Sequence, residues 1–473
     1  MTDMSTSRDS TNVLSFEETI LKGGDERLDI ISTGTNKYHV QPYRFKDVFS
    51  RGSCTCSSFT PDGFNASKAI YEGFASENFA SIRSQHTRRI KRLINYGKDD
   101  KFHVFFAPSG SDLCYYQLLF VNLIDPSRKI LNIVTCPEEL GSGSIAALMG
   151  NGYASRNQFG DELEVDAPLF ESLSIQTEML AARNSHGQIN NHSTAIEKLV
   201  GDYYQSHSIN ANLVIGSKSG IENNISVVAQ VPQGVLWTVD LCQFRATRIL
   251  INGLLGMNCC VMITGSKFYQ SPPFCAALLV PKSVTRKFRH FDKKAILPFA
   301  KLFSRHDIPE ELTEIHQHLP DYQNLGLVLR WEAALKEMEL YSKLDTFKLT
   351  KTMNSWNSFV TDSIEKSDFL EAMPGQELTN KTIVSFRVKT ADGKYFSHSE
   401  LVNLYKEICS NDVKNFGPYN RVLFGQPVKY GNKSFIRIAI GASDLRQFVL
   451  EGFDATFDSM LIKLIESYAG VRS

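Results

Sequence analysis

A carboxylate, an amine and a turn of small residues carry the chemistry in this sequence. Asp240 ends the apolar run Val-Leu-Trp-Thr-Val-Asp at 235–240, and Lys267 follows Cys-Val-Met-Ile-Thr at 260–264 with only Gly265 and Ser266 between. Runs of this kind read as buried strands, so both side chains would emerge at one edge of one sheet. A lysine amine condenses with an aldehyde, and burial favours its neutral, nucleophilic form. A buried acid beside a cationic heterocycle stays ionised and keeps the proton on the ring nitrogen. Pyridoxal 5'-phosphate (PLP) asks for such a pair, because its ring must accept electrons from a substrate carbanion.

Upstream, the apolar run Phe102–Ala107 meets Pro108, Ser109, Gly110, Ser111 and Asp112, then the helical pattern Leu113–Ile124. Free amides of Gly110, Ser111 and Asp112 at a helix start suit a phosphate dianion. Ser or Asp at such a place can equally be nothing more than the helix cap. The turn has neither a P-loop nor a dinucleotide glycine pattern, which counts against a nucleotide binder.

Val-Asp-Leu-Cys-Gln at 239–243, followed by Thr-Gly-Ser-Lys-Phe-Tyr at 264–269, resembles the PLP-dependent fold type I enzymes of the class V aminotransferase branch, which includes cysteine desulfurases and kynureninases. The resemblance implies that Asp240 pairs with the pyridine nitrogen, that Gln243 hydrogen-bonds the ring O3', and that Lys267 forms the Schiff base. Thr264 and Ser266 stand where that family has a Ser and a His, and would be phosphate ligands. Ser109 and Gly110 match its phosphate turn, with Ser111 and Asp112 in place of Ala-Thr; Asp112 would cap the helix and offer its amide. Phe-Ile-Arg-Ile-Ala-Ile-Gly at 435–441 is similar to the strand whose Arg clamps the substrate carboxylate, which implies that role for Arg437. A planar two-pronged donor suits a carboxylate better than Lys does, although an Arg alternating with Ile could also just face solvent.

The chain departs from that pattern in three places. Thr-Cys-Pro-Glu-Glu-Leu-Gly-Ser-Gly at 135–143 puts Glu139 on or beside the ring-stacking His of the family, which leaves the ring face unassigned; Glu138 or Glu139 could contact substrate instead. Gly-Ser-Lys-Ser-Gly at 216–220 puts Ser217 where an Asn near O3' or the substrate is usual, and brings Lys218, a second lysine that could carry the cofactor. No cysteine lies between Cys275 and Cys409, where a desulfurase presents its nucleophile. The segment Ser50–Ser58 would form an amino-terminal loop over the substrate, with Arg51 and Ser53 as its candidates.

The surrounding pattern is that of an α/β chain. Strand-like runs at Phe102–Ala107, Ile130–Cys136, Asn212–Gly216, Val235–Asp240, Cys260–Thr264 and Cys275–Val280 alternate with helical ones, as in a mainly parallel doubly wound sheet with ligands at its carboxyl edge. A helix through Leu327, Trp331, Leu335 and Met338 leads to strands at Thr382–Val388 and Phe435–Ile440 and helices at Ser399–Ile408 and Leu445–Glu466. The expected division is an arm over 1–45, a large PLP-binding domain over 46–300, a helical connection over 301–370 and a small C-terminal α+β domain over 371–473.

Lys plus Arg equals Asp plus Glu at 51 each, so no net field attracts nucleic acid or an anionic membrane. Residues 1–15 lack the apolar core of a leader, and the most apolar stretch, Ile249–Ile263, is too short to span a bilayer. Nine scattered cysteines fit a reducing cytoplasm rather than a disulfide framework. Neither Cys54 and Cys56 nor His316 and His318 have metal-site spacing, and His186, His192 and His207 read as surface. The sequence thus describes a PLP-dependent enzyme acting on an amino acid, by transamination or by elimination at Cβ or Cγ. A PLP-dependent decarboxylase, or a regulator of this fold without turnover, is the alternative. The resemblance further implies a homodimer.

Overall fold

The computed structural model describes residues 14–74, 78–95, 100–141, 143–231, 234–373 and 381–471. Most of the stretch expected to lack a leader therefore lies outside the described residues. Twelve strands among the described residues form two sheets. The first, β1 (Val48–Arg51), belongs to the smaller one. The larger is built from β2 (Phe102–Ala107), β3 (Lys129–Thr135), β4 (Ile175–Leu180), β5 (His207–Val214), β6 (Leu236–Asp240), β7 (Cys260–Thr264) and β8 (Ala276–Pro281), in the order β2-β8-β7-β6-β5-β3-β4. Every pairing is parallel except the two made by β8, which the sequence pattern had grouped with the parallel strands.

These strands are apolar at successive positions because both faces are covered. In β2, Val104 and Phe106 join one core while Phe105 and Ala107 join the other; in β3, Leu131 and Ile133 face the first and Ile130 and Val134 the second. The alternation of Cβ direction along a strand therefore feeds two separate cores from one run. This is the expected α/β architecture, with a mainly parallel sheet between helical layers.

The smaller sheet adds β9 (Leu370–Ala372), β10 (Ile383–Val388), β11 (Arg421–Tyr430) and β12 (Lys433–Ala439), in the order β1-β11-β12-β10-β9. Its pairings are antiparallel except β1 with β11, so a strand from the beginning of the chain completes a sheet made by its end. The helix expected over Leu445–Glu466 is two helices, Ala442–Glu451 and Thr456–Val471. Gly452 between them has φ +100, a left-handed conformation that glycine adopts without a Cβ clash and that ends a helix.

Residues read as an arm are packed into the body. Phe16–Ile20 is a helix closed by a capping box between Ser15 and Glu18, and the fully buried Arg330 donates to the carbonyls of Ile20, Lys22 and Gly23. Arg330 lies on the helix Leu325–Tyr341, whose Trp331 is also buried. That helix and the next, Thr346–Glu365, form the link toward the smaller sheet. Among the described residues no helix is long and apolar enough to cross a membrane.

Candidate active site

Three strand ends and one helix start meet at the carboxyl edge of the larger sheet. Asp240 is the last residue of β6, and Lys267 stands three positions after β7 ends at Thr264. The chain turns sharply just beyond the strand ends: Cys136 after β3, Phe244 after β6 and Gln270 after the Lys267 turn have φ of 50, 53 and 48, a strained region for residues other than glycine. Gly265 is required at its turn, because a Cβ there would strike Ala334 and come within 2.8 Å of the Cys275 sulfur. The loop carrying Lys267 is thus wedged between the sheet and the helix Leu325–Tyr341.

The resulting cleft encloses about 860 Å³ of space, its open mouth included. Lys267, Asp240 and Gln243 line it, as do Ser109, Gly110, Ser111, Thr264 and Ser266. Glu139, Ser217, Lys218 and Arg437 line it too, so tertiary folding gathers most of the sequence-derived candidates around one space. Asp112 stays behind the wall. It caps the helix Gly110–Ile124 through a reciprocal pair: its carboxylate accepts from the Ser109 amide at 2.8 Å and hydroxyl at 2.7 Å.

At this corner the amides of Gly110 and Ser111 open the helix with no intrahelical acceptor. A side chain at Gly110 would come within 2.9 Å of the Cys242 sulfur, so the backbone there is accessible only as glycine. Ser109 is engaged by Arg27, whose guanidinium holds Asp25 through two hydrogen bonds and reaches Ser109 Oγ at 3.0 Å. Tyr153 links Asp25 and Asp112 at the same point. Burial, with Asp25 nearby, pushes the Asp112 carboxyl up to about 6. The Thr264 hydroxyl donates to the Cys242 carbonyl at 2.7 Å and so has no proton left for a phosphate oxygen, unlike the donor role expected of it.

Next to Asp240, the Cys242 amide donates to one carboxylate oxygen at 2.7 Å. Gln243 donates through its amide nitrogen to the Cys54 carbonyl at 2.9 Å, and its buried Oε1 has no partner among the described residues. A hydroxyl facing that oxygen would satisfy it; an oxyanion would not. Glu139 accepts from Ser217 Oγ at 2.6 Å, from the Ser219 amide at 2.8 Å and from the Ser219 hydroxyl. It therefore clamps the loop Gly216–Gly220 and is not free to stack on a ring. The aromatic side chains lining the cleft are Tyr38 and Phe274.

Arg437, on β12, is fully buried. Its hydrogen bonds go to the carbonyls of Gln426 at 3.0 Å and Lys218 at 3.5 Å and to the Thr55 hydroxyl at 3.4 Å, none of them an acid. It faces the cleft rather than solvent, as a guanidinium awaiting an anion would. Arg51 and Ser53 lie outside the cleft: Arg51 is held by Asp458 and Asp444, and Ser53 bonds Arg245 and the Ala439 carbonyl. Their neighbours Cys54 and Thr55 line the cleft instead. His192, expected at the surface, is buried between the Ala181 carbonyl and Asn223.

Burial, with Arg437 beside it, pushes the Lys218 ammonium down to about 8. A lysine whose folded pKa lies below its unfolded value of about 10.4 destabilises the fold while it is charged. That penalty is full below pH about 8 and is gone near pH 10.4. Lys218→Met is therefore expected to raise the unfolding free energy at pH 7 by up to about 3 kcal/mol. Denaturant titrations from pH 7 to 10.5 would read this; a difference between variant and parent that stays constant over that range contradicts the buried charge.

Arg27, Tyr38, Phe274 and Gln426 were missed in the sequence. The first two lie in the stretch taken for an arm, and no spacing rule connects them to β6 or β7. Gln426 sits at an irregularity between Gly425 and Val428 of β11, where the register shifts. Thr55 had a signal, since the segment Ser50–Ser58 was expected near the substrate.

No family model and no curated protein sequence matches the chain. Solved structures do. A NifS-like protein from Rickettsia africae superposes with a TM-score of 0.54 at 12% identity, over 89% of this chain and 98% of its own. The cysteine desulfurase CsdA from Escherichia coli gives 0.55 at 10% identity over 89% and 93%, and an alanine–glyoxylate aminotransferase from Nostoc sp. gives 0.57 at 11% over 91% and 97%. These likenesses establish a common fold, the fold type I architecture of those proteins.

Proposed function

We propose that this chain binds pyridoxal 5'-phosphate at Lys267 and uses it to transform an amino acid, by transamination or by elimination at Cβ or Cγ. The observation that carries the reading is the convergence of Lys267, Asp240 and the amino end of the helix Gly110–Ile124 on one cleft. The residues present fit the cofactor: an unpartnered buried amide oxygen at Gln243, a backbone approach at Gly110 that no Cβ permits, and an amine with a carboxylate at one sheet edge.

When bound, the cofactor's ring accepts the electron pair released as a bond to the substrate's α-carbon breaks. Asp240 would hold the proton on the ring nitrogen, because its carboxylate sits at the strand end with one oxygen fixed by Cys242 and the other available. The amides of Gly110 and Ser111 and the Ser266 hydroxyl would hold the phosphate, with Arg27 fixing the turn through its hydrogen bond to Ser109 Oγ. Arg437 would orient the substrate by its α-carboxylate. Lys267 would move the proton at the substrate's α-carbon. Tyr38 and Phe274 line the same space and would exclude water from it.

A homodimer in the cytoplasm completes this reading. The direct test is borohydride reduction of the yellow protein followed by peptide mapping. The label is expected on Lys267; a label on Lys218, or none, contradicts the assignment. Release of ammonia or a side-chain fragment without an oxo-acid acceptor then favours elimination over transamination.

A further inference from the structure

One cation in the cleft is left without a task. We propose that Lys218 binds a second acidic group of the substrate, so that this site selects amino acids with an acidic side chain; the proposal rests on the function proposed above.

The cleft is lined by four cations, Arg27, Lys218, Lys267 and Arg437, and by two carboxylates, Asp240 and Glu139. Arg27 is neutralised by Asp25 at 2.6 Å. Glu139 keeps its charge but accepts from Ser217 and Ser219 rather than pairing with a cation, and Asp240 with Lys267 serves the cofactor. Two positive groups remain, and a single α-carboxylate occupies only Arg437.

Among the described residues the hydrogen bond of the Lys218 ammonium is to the Glu138 carbonyl at 3.2 Å, which leaves two of its three donors for a ligand. Its loop is fixed at both flanks, since Ser217 and Ser219 are held by Glu139. Arg437 reaches the Lys218 carbonyl, so the two cations come to the cleft side by side from the two sheets. A partly buried ammonium that feels Glu139 and Asp240 but makes no ion pair among the described residues costs free energy that an arriving carboxylate, sulfinate or phosphate would recover. Its lowered pKa agrees, because such a ligand would restore the proton and bind less tightly as pH rises past about 8. A site built around an unsatisfied donor also rejects the analogue that lacks the matching group.

The test is calorimetric titration of the purified chain with succinate and glutarate against propionate and butyrate. At least one diacid is expected to bind about tenfold more tightly than the monoacids, the size of one charge-assisted hydrogen bond. Lys218→Met should erase that preference while leaving monoacid affinity unchanged, and Lys218→Arg should retain it. Equal affinities for diacids and monoacids, or a Lys218→Met variant that keeps the preference or weakens both classes alike, overturn the proposal. Borohydride mapping reports separately on Lys267, so a failure of the cofactor reading is seen apart from these titrations.

Discussion

Lys267→Ala is expected to lose the yellow colour on reconstitution and to lower turnover by roughly 10³-fold or more, the combined worth of a covalent anchor and a general acid–base group. The size of the effect follows from there being no replacement on the wall. Lys218 lines the same cleft, but its ammonium is bonded to the Glu138 carbonyl and its loop is clamped by Glu139. Lys267→Arg should fail as completely, since a guanidinium keeps the charge and has no nucleophilic lone pair at neutral pH. Single-turnover assays with the reactive amino acid, run beside circular dichroism to show intact folding, check both variants. Borohydride incorporation persisting in Lys267→Ala would sink the assignment.

Asp240→Asn preserves shape and removes one charge, so its effect should fall on chemistry more than on folding. Breaking a buried charge pair costs about 3–5 kcal/mol, which corresponds to roughly 10²- to 10⁴-fold in rate if the full cost appears in the transition state. The variant is expected to bind the cofactor and accept the borohydride label on Lys267, yet to turn over slowly because the ring nitrogen no longer stays protonated. Reconstitution with a cofactor analogue whose ring nitrogen carries a permanent charge should restore part of the rate. Full activity in Asp240→Asn, or total loss of folded protein, would be incompatible with this role.

Several elements could be read from the sequence because local patterns decide them. The runs of β2, β3, β6 and β7 are buried on both faces, and a strand covered on both sides explains four to six buried residues in succession. Ser109 with Asp112 announces a helix start, and the capping box is there. Other elements were hidden for equally physical reasons. The helix Thr346–Glu365 lies within the expected helical connection over 301–370 but does not read as an element of its own, because it buries only Trp356, Val360 and Ile364, a sparse stripe among its Thr, Ser and Asn residues. β4 has no fully buried residue and carries little alternation.

By itself the sequence determined where an amine, an acid and a helix start follow the strands β7, β6 and β2, each set by neighbours a few residues away. Only the tertiary structure decided what surrounds them. Arg27 meets Ser109, Lys218 meets Arg437, and β1 joins β11 through contacts spanning tens to hundreds of residues. Such contacts depend on how layers pack and where loops close, and spacing along the chain does not encode them. For the same reason Thr264, which lines the cleft, spends its proton inward, and Glu139 serves as a loop clamp: the partner of a hydrogen bond is chosen in space.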